Sequence, residues 1–261
     1  MNRIIDYKNL SEQIEKWIKN YAQSNGIETL VIGVSGGIDS AVVSTLCSRT
    51  NIPTIAVGMP LNSKPENTRL SNLQLDFLSK LNVQTIEVEL SDTFKSFENT
   101  IPHHFKSELA SANSKSRLRM MTLYHIAANR NGLVVGTGNK VEDFGIGFFT
   151  KYGDGGVDIS PIADLLKSEV RQLAAYLKVP QSILNAKPTD GLFGDDRSDE
   201  DQIGANYDEL EWAMQQMELG KKGADFSGRE ADVFGIYNRL HSANQHKMQP
   251  IPVCLLPKDI Y

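Results

Sequence analysis

The chain contains one stretch that decides its fold, Leu30-Val-Ile-Gly-Val-Ser-Gly-Gly-Ile-Asp-Ser-Ala-Val-Val-Ser-Thr45. An apolar, β-branched run leads into Ser35–Ser40 and then into sequence compatible with a helix, which predicts a strand, a loop and a helix N-terminus. Gly36 and Gly37 allow a sharp turn and leave no Cβ atoms to keep an anion away, and the first N–H groups of a helix lack intrahelical partners. We therefore expect the loop to hold phosphate oxygens.

This loop differs from a Walker A loop, which reads G-x-x-x-x-G-K-[ST] and carries a lysine for the β- and γ-phosphates. In this loop, Asp39 is the charged side chain in place of that lysine. A carboxylate suits a metal-bridged pyrophosphate better than a transferred γ-phosphoryl group. The structural alternative is that Ser35-Gly-Gly37 is only a tight turn between a strand and a helix.

The composition is that of an ordinary globular protein. The chain has 261 residues, of which 40% are hydrophobic and 23% are charged, and its net charge is −5. This length is enough for one large core, and we expect a single domain over residues 1–261 with a helical C-terminal part. The negative charge argues against a nucleic-acid partner, because neutralising phosphates takes clustered Lys and Arg.

The sequence also argues against a membrane partner and against exported or zinc-binding classes. No apolar run approaches the roughly 18 residues of a membrane span, and the polar start Met1-Asn-Arg3 lacks a signal-peptide core. We therefore expect a cytoplasmic protein. The chain has two cysteines, Cys47 and Cys254, both among aliphatic residues, and no histidine cluster with zinc spacing. This pattern predicts two buried, inert thiols.

Strand-like runs alternate with amphipathic stretches along the first part of the chain. The strand candidates are Thr29–Val34, Thr54–Gly58, Gln84–Val88 and Leu133–Gly136. The helix candidates are a first helix with the apolar stripe Leu10, Ile14, Trp17, Ile18 and Tyr21, followed by Pro65–Leu81, Phe105–Asn131, Lys167–Lys178, Asn206–Met217 and Arg229–His241. The alternation predicts an α/β fold, a doubly wound parallel sheet with helices on both faces. We expect the stripe to pack in the core and no strand after Pro161.

A doubly wound sheet would bring two distant segments together. Parallel strands end at the same edge, and ligands bind beyond their carboxyl ends. The loop at Ser35 follows one strand, and Gly136–Glu142 follows another. Asp39 and Glu142 should therefore converge, as two carboxylates that could hold Mg²⁺ against phosphates. The alternative for Glu142 is a solvent-facing helix start, where the helix dipole favours an acid.

Several motifs resemble those of one family. The loop Ser35–Ser40 resembles the pyrophosphate loop of the N-type ATP pyrophosphatases, which the synthetases for GMP, asparagine and argininosuccinate share. The stretch Phe148-Phe-Thr-Lys-Tyr-Gly-Asp-Gly-Gly-Val-Asp-Ile-Ser-Pro161 is more specific and resembles the NAD synthetases. The likeness covers nearly the whole chain and includes Ser116-Arg-Leu-Arg-Met120, Gly136-Thr-Gly138 with Glu142, Lys187-Pro-Thr189, Ser198-Asp-Glu200 and His246-Lys247.

The resemblance implies a Rossmann-like fold of the adenine nucleotide alpha hydrolase type and a Mg²⁺- and ATP-dependent reaction. Deamido-NAD would be amidated by ammonia to NAD through an acyl adenylate, with release of AMP and pyrophosphate. The family also implies a homodimer in which Arg117 or His246-Lys247 serves the neighbouring site. A glutaminase needs an activated cysteine and generally a domain of its own, so ammonia is the expected nitrogen donor.

The resemblance further implies which residues form the site. ATP would contact Gly33, Val34, Ser35, Gly36, Gly37, Ile38, Asp39, Ser40, Thr137, Lys167 and Thr189. Deamido-NAD would contact Arg117, Lys151, Asp158, His246 and Lys247, and Mg²⁺ would be held by Asp39 and Glu142. The candidate catalytic residues are Asp39, Lys167, Asp154 and Asp199. Arg117 and Arg119 cannot share a helix face, and the motif favours Arg117 as the one that points inward.

Simpler interpretations stay open for several of these residues. Taken singly, Lys151 and Lys167 fit solvated surface lysines, His246-Lys247 fits an exposed turn, and Asp154 fits a turn former. The acidic run over residues 195–201 fits a solvated loop. Its functional alternative is a mobile lid over residues 189–202, in which Asp199 binds ammonium or takes its proton.

Two departures from the family pattern and two rival functions bear on this assignment. The stretch from Glu142 to Lys151 is one residue longer than the pattern, and Met248 stands where a basic residue is common.

A tRNA-modifying adenylating enzyme would use the same loop, but it should carry a basic surface or reactive cysteines. A non-catalytic adenine-nucleotide sensor would keep the glycines without needing Asp39 and Glu142. The net charge of −5 argues against the first and the two carboxylates against the second.

Overall fold

A parallel sheet forms the centre of the protein. The computed structural model describes residue 4 and residues 6–63, 65–187 and 198–257. The strands are β1 (Thr29–Val34), β2 (Thr54–Gly58), β3 (Gln84–Glu87) and β4 (Gly132–Val134), all parallel and in the order β3-β2-β1-β4. The four strand predictions are confirmed, with only the ends of β3 and β4 differing. Beyond β4, Val135 makes one isolated parallel bridge with Ile159.

Helices flank the sheet and form the C-terminal part of the described residues. They are α1 (Tyr7–Ser24), α2 (Ile38–Ser48), α3 (Pro65–Ser79), α4 (Ser91–Thr100), α5 (Glu108–Asn129), α6 (Lys167–Tyr176), α7 (Gln181–Leu184), α8 (Asp199–Ile203), α9 (Tyr207–Glu218) and α10 (Gly228–Met248). The helix predictions are confirmed in position, but α10 continues past the predicted His241 to Met248, so His246 and Lys247 lie in its last turn rather than in a separate turn. α4, α7 and α8 were not predicted. α5 begins later than the predicted Phe105, because the Ser107 hydroxyl accepts a hydrogen bond from the Ala110 N–H and caps the helix there.

Both faces of the sheet are covered, as the doubly wound prediction requires. On β1, Leu30 and Ile32 pack with α1, α2 and α6 in one core. Val31, one residue out of phase, lies in a second core with Ile55 and Val57 of β2, against α5. The chain runs from β1 outward to β2 and later returns to β4 on the other side of β1. This reversal opens a crevice at the carboxyl ends of β1 and β4.

The C-terminal part is helical, as predicted, and has a core of its own. Residues of α9 and α10, including Tyr207 and Tyr237, pack there against a π-helix over Val141–Ile146. No strand follows Pro161 in the described residues. A π-helix accommodates one extra residue per turn relative to an α-helix. It overlaps the start of the stretch from Glu142 to Lys151, in which we expect one residue more than the family pattern. In the described ranges, none of the helices combines the length and the apolar character that a membrane crossing requires.

Two burial predictions are partly wrong. In the stripe of α1, Ile14 and Ile18 are buried, but Trp17 is 46% exposed and Tyr21 41% exposed. These two rings pack on each other at the edge of the stripe, with centroids 5.9 Å apart. Cys47 is buried, which raises the pKa of its thiol to about 12. Cys254 is exposed, because the segment after α10 presents its apolar residues to solvent.

Candidate active site

The loop after β1 lines a cavity of about 320 Å³ at the crevice. Gly37 caps α2 without a side-chain hydrogen bond, so the N-terminal N–H groups of α2 are left to other partners. Ser35 and Ser40 close the loop on itself, since the Ser40 hydroxyl donates to the Gly37 carbonyl at 2.9 Å and accepts from the Ser35 N–H at 3.3 Å. All of the predicted phosphate-loop residues, Gly33, Val34, Ser35, Gly36, Gly37, Ile38, Asp39 and Ser40, line the cavity. Thr137 lines it as well.

Only one of the two loop glycines is required by the local geometry. Gly36 has a φ of +86°, and a Cβ atom there would lie 2.8 Å from the Ser71 nitrogen and 2.9 Å from the Leu70 Cβ of α3. At Gly37 the nearest atom to an added Cβ would be the Ser35 Oγ at 3.3 Å. Gly36 therefore allows α3 to pack against the loop.

One buried ammonium joins the two predicted metal ligands. Lys167 Nζ lies 2.6 Å from Asp39 Oδ2 and 2.9 Å from Glu142 Oε1. The Lys167 side chain is only 4% exposed, so the interpretation of this residue as a surface lysine is wrong. Asp39 and Glu142 come from α2 and the π-helix, and Lys167 begins α6. The predicted convergence of Asp39 and Glu142 is confirmed.

Two further polar residues hold this group, and sequence reasoning assigned neither a role. The Asn139 side chain is fully buried, donates to Asp39 Oδ1 at 3.3 Å and accepts from the backbone N–H of Glu142 at 3.2 Å. The Tyr207 hydroxyl donates to Glu142 Oε1 at 2.5 Å, and its ring lies 4.7 Å from Lys167 Nζ. The amide and the phenol thus fix the orientation of the carboxylates.

Burial and ion pairing have opposite effects on the pKa values of these groups. Burial raises the pKa of Asp39, and the Lys167 ammonium only partly offsets it. Burial also acts on Glu142, but Lys167 and the Tyr207 hydroxyl together lower the pKa of that carboxyl. The two carboxylates raise the pKa of Lys167 despite its burial, so the lysine is charged.

The π-helix places one more carboxylate on the cavity wall. Asp143 lies against Gly138, where an added Cβ would be 1.9 Å from Asp143 Oδ2. A side chain at position 138 would therefore require the Asp143 carboxylate to move. Burial, followed by the charges of Glu142, Asp154 and Asp39, raises the pKa of Asp143 well above its usual value.

The two remaining candidate catalytic acids also line the cavity. Asp154 Oδ1 accepts hydrogen bonds from the Thr150 N–H at 2.9 Å and the Ser116 hydroxyl at 2.7 Å, so this residue does organise a turn. Asp199 is buried at the start of α8, with Oδ2 3.5 Å from the Tyr207 hydroxyl. Residues 188–197, with Thr189 and most of the predicted lid, lie outside the described residues. The last part of the predicted lid, from Ser198, is a capped helix with a buried acid rather than a solvated loop.

The residues predicted to bind deamido-NAD do not line this cavity. Four of them lie together in the segments beside it and form the rim cluster, which consists of Arg117, Lys151, His246 and Lys247. Asp158 is not part of these contacts, because its carboxylate accepts hydrogen bonds from the Val134 N–H at 2.7 Å and the Tyr124 hydroxyl at 3.0 Å. Lys151 Nζ donates to the His246 carbonyl at 2.8 Å, and Lys247 Nζ donates to the Phe149 carbonyl at 2.7 Å. α10 is thereby tied to the segment 148–158.

The orientation predicted for the two arginines is wrong. Arg117 is exposed and donates to the Lys151 carbonyl at 3.3 Å. Arg119 faces the cavity, and its Nε donates to the Met59 carbonyl at 3.1 Å, just after β2. The helix turns about 200° over two residues, and the face of α5 that packs on the sheet is the one that carries Arg119.

Comparisons with known proteins identify the family. The family model for NAD synthase matches residues 10–251. The NH(3)-dependent NAD(+) synthetase of Mesoplasma florum is 40% identical over 214 residues, which is 79% of this chain and 84% of that protein. The NH(3)-dependent NAD(+) synthetase of Carboxydothermus hydrogenoformans is 36% identical over 93% of this chain and 96% of that protein. The solved NMN synthetase of Francisella tularensis superposes with a TM-score of 0.84 at 31% identity, over 98% of this chain and 100% of that chain. The chain belongs to the NAD synthase family.

Proposed function

We propose that the chain amidates deamido-NAD with ammonia in an ATP-dependent reaction that yields NAD, AMP and pyrophosphate. A carboxylate oxygen of the nicotinate group attacks the α-phosphorus of ATP, and pyrophosphate leaves. Ammonia then attacks the acyl carbon of the adenylate, AMP leaves and one proton is released. The adenylate is needed because a free carboxylate has only oxide as a leaving group.

One observation carries this proposal: Asp39 and Glu142 converge on one cation beside the N-terminus of α2, in a chain of the NAD synthase family. Residues 33–40 bind the phosphates of ATP, and Thr137 and Lys167 contact the nucleotide. The departing pyrophosphate gains negative charge, which N–H donors held in place by the loop stabilise without reorganisation. Thr189 is proposed as an ATP contact on the sequence motif alone.

The two carboxylates fit Mg²⁺. Their oxygens lie 2.6 and 2.9 Å from a single cation, the Lys167 ammonium, and carboxylate oxygens are the donors that Mg²⁺ prefers. The described parts of the chain contain no cluster of three or more His, Cys, Asp or Glu residues that fits a metal. Two carboxylates are nevertheless a common protein contribution for Mg²⁺, with phosphate and water oxygens as the other ligands. The bound ion offsets phosphate charge and favours pyrophosphate as a leaving group.

The rim cluster binds deamido-NAD in this proposal, next to the ATP cavity. Asp199 binds ammonium, since it is a buried carboxylate on the cavity wall. A second copy of the chain completes the site as a homodimer. Exposed apolar side chains on or beside α5, namely Phe105, Leu109 and Met121, support an interface near Arg117. Sedimentation at assay concentration should give a dimer, and a monomer with full specific activity would exclude this arrangement.

The reaction is tested with purified protein, ATP, Mg²⁺, ammonium and deamido-NAD. We expect NAD, AMP and pyrophosphate in equal amounts, whereas ADP and phosphate as products would exclude the adenylate. Asp39→Ala and Glu142→Ala should each lower the rate on the order of 10²-fold or more. Asp164→Ala is the matched control, because that carboxylate is 87% exposed and pairs with Lys140 outside the cavity.

A second candidate substrate follows from the structural comparison. The superposed Francisella tularensis protein is an NMN synthetase, so the mononucleotide carboxylate could replace deamido-NAD in the same chemistry. The two candidates are separated by kcat/KM for deamido-NAD and for nicotinate mononucleotide, measured side by side. A higher value for the dinucleotide supports the first proposal, and a higher value for the mononucleotide supports the second.

A further inference from the structure

The Lys167 ammonium occupies the position that the proposed metal would need. Its Nζ bridges Asp39 Oδ2 and Glu142 Oε1 at 2.6 and 2.9 Å. Mg²⁺ binds carboxylate oxygens at about 2.0–2.1 Å. A divalent ion between these two oxygens would be in contact with the ammonium, and two cations cannot share the position. Metal binding at Asp39 and Glu142 therefore requires Lys167 to move.

The ammonium is held firmly in its present position. Lys167 is buried, and a buried ammonium is tolerated only where it is paired. The Tyr207 ring adds a cation–π contact, with Nζ 4.7 Å from the ring centroid. Displacing this cation would break both ion pairs and the ring contact, and a metal ion alone brings no anion to replace them.

A triphosphate changes this balance. Lys167 and the N-terminal residues of α2 line the same cavity. Phosphate oxygens bound at that helix end would give the displaced ammonium an anionic partner within the cavity. The phosphates would also supply the remaining oxygens around the metal.

We propose that Lys167 is an internal counter-cation that exchanges with Mg²⁺. It holds Asp39 and Glu142 together in the nucleotide-free protein, and it moves to the phosphates of ATP when the metal takes the two carboxylates. Lys167 thereby makes metal binding dependent on the nucleotide, by linkage between the two sites. This inference rests on the proposed metal-binding role of Asp39 and Glu142.

The test is Mn²⁺ binding to the nucleotide-free protein, followed by the EPR signal of free Mn²⁺. Lys167→Met removes the charge and keeps a similar chain length. We expect it to bind one Mn²⁺ about tenfold or more tightly than the unmodified protein. Lys140→Met is the matched control, because Lys140 also pairs with two acids, Asp164 and Glu218 at 3.4 and 3.5 Å, but outside the cavity. It should leave the affinity unchanged.

Adding Asp39→Asn separates the two ways in which this reasoning could fail. If Lys167→Met binds no more tightly, while Asp39→Asn abolishes Mn²⁺ binding, the metal site is correct and the exchange is wrong. If Asp39→Asn has no effect in either background, the proposed metal site itself is wrong.

A second measurement uses the unaltered side chain and does not depend on folding of the Met variant. In protein labelled with ¹⁵N-lysine, the ammonium signal of a paired, buried lysine can be assigned by its loss in Lys167→Arg. We expect this signal to stay in place with Mg²⁺ alone and to shift when Mg²⁺ and α,β-methylene-ATP are added together. A signal that moves with Mg²⁺ alone, or that stays unchanged with both, would overturn the exchange.

Discussion

Replacing Tyr207 by Phe removes a single hydroxyl and tests how the site is held together. That hydroxyl donates to Glu142 Oε1 at 2.5 Å inside a buried cluster, and the ring fits the same space in the variant. A hydrogen bond to a charged group contributes about 1.5–3 kcal/mol, so we expect a loss of unfolding free energy of that size. The hydroxyl also helps to lower the pKa of Glu142, so its removal should raise that pKa.

The pKa of Glu142 determines how the effect of Tyr207→Phe on stability should vary with pH. In the folded protein the pKa of Glu142 lies below its ordinary value of 4.5. Its stabilising contribution is therefore present above that value and is lost as the pH falls through the folded pKa. Tyr207→Phe raises the folded pKa of Glu142, so the loss of unfolding free energy in the variant should be largest at neutral pH. This deficit should shrink as the pH falls through the pKa that Glu142 has in the variant.

Urea unfolding between neutral and acid pH measures this deficit. Tyr237→Phe is the control, since Tyr237 is also buried in the same core, and no hydrogen bond from its hydroxyl to a carboxylate is found among the described residues. We expect a change below about 1 kcal/mol for the control. Equal losses in the two variants, or a deficit for Tyr207→Phe that does not depend on pH, would refute the role given to the hydroxyl.

Three further predictions follow from the same structure. Gly36→Ala should lower the unfolding free energy by about 2 kcal/mol or more, because its φ of +86° and the 2.8 Å approach to Ser71 exclude a side chain. Gly37→Ala should cost clearly less, and equal shifts in melting temperature would contradict this. A thiol reagent should label Cys254 rapidly in the native protein and Cys47 only after unfolding, since burial raises the pKa of Cys47 to about 12. Mass spectrometry measures the labelling, and labelling of both cysteines in the native protein would contradict this prediction. Ammonium should support NAD formation and glutamine should not. Glutamine-dependent synthesis that is lost in Cys254→Ala would show a glutaminase activity instead.

The sequence predicted the elements whose signals are local. β1 and β2 agree with their predicted bounds because continuous apolar runs end at turn residues, and the loop from Ser35 follows from its glycines. The convergence of Asp39 and Glu142 could be predicted because parallel strands share an edge. These inferences need only the periodicity of the chain and the rule for sheet edges.

The remaining site residues depend on tertiary placement. Tyr207 begins α9, and only the packing of α9 against the π-helix brings its hydroxyl to Glu142. Asn139 lies in the segment Gly136–Glu142, which follows β4. Its contact with Asp39 depends on the meeting of this segment with the one that follows β1. The extra residue expected between Glu142 and Lys151 would be the sequence signal for the π-helix, because a π-helix accommodates an inserted residue.

The charge of the cavity wall links these observations to the choice of nitrogen donor. The acidic lining residues are Asp39, Glu87, Glu142, Asp143, Asp154 and Asp199, and the basic ones are Arg119, Lys167, Arg171 and Lys187. Lys167 is already paired with two of the acids, so a polyanionic nucleotide gains little attraction from the wall itself. It must rely on backbone N–H groups of the loop and on a cation that enters with it, and Lys167 becomes available to the phosphates only when that cation takes the two carboxylates. The same excess of carboxylates raises the local concentration of small cations, and ammonium is one of them. We therefore expect the charge of the wall as a whole to favour the binding of ammonium, and high ionic strength to raise the KM for ammonium.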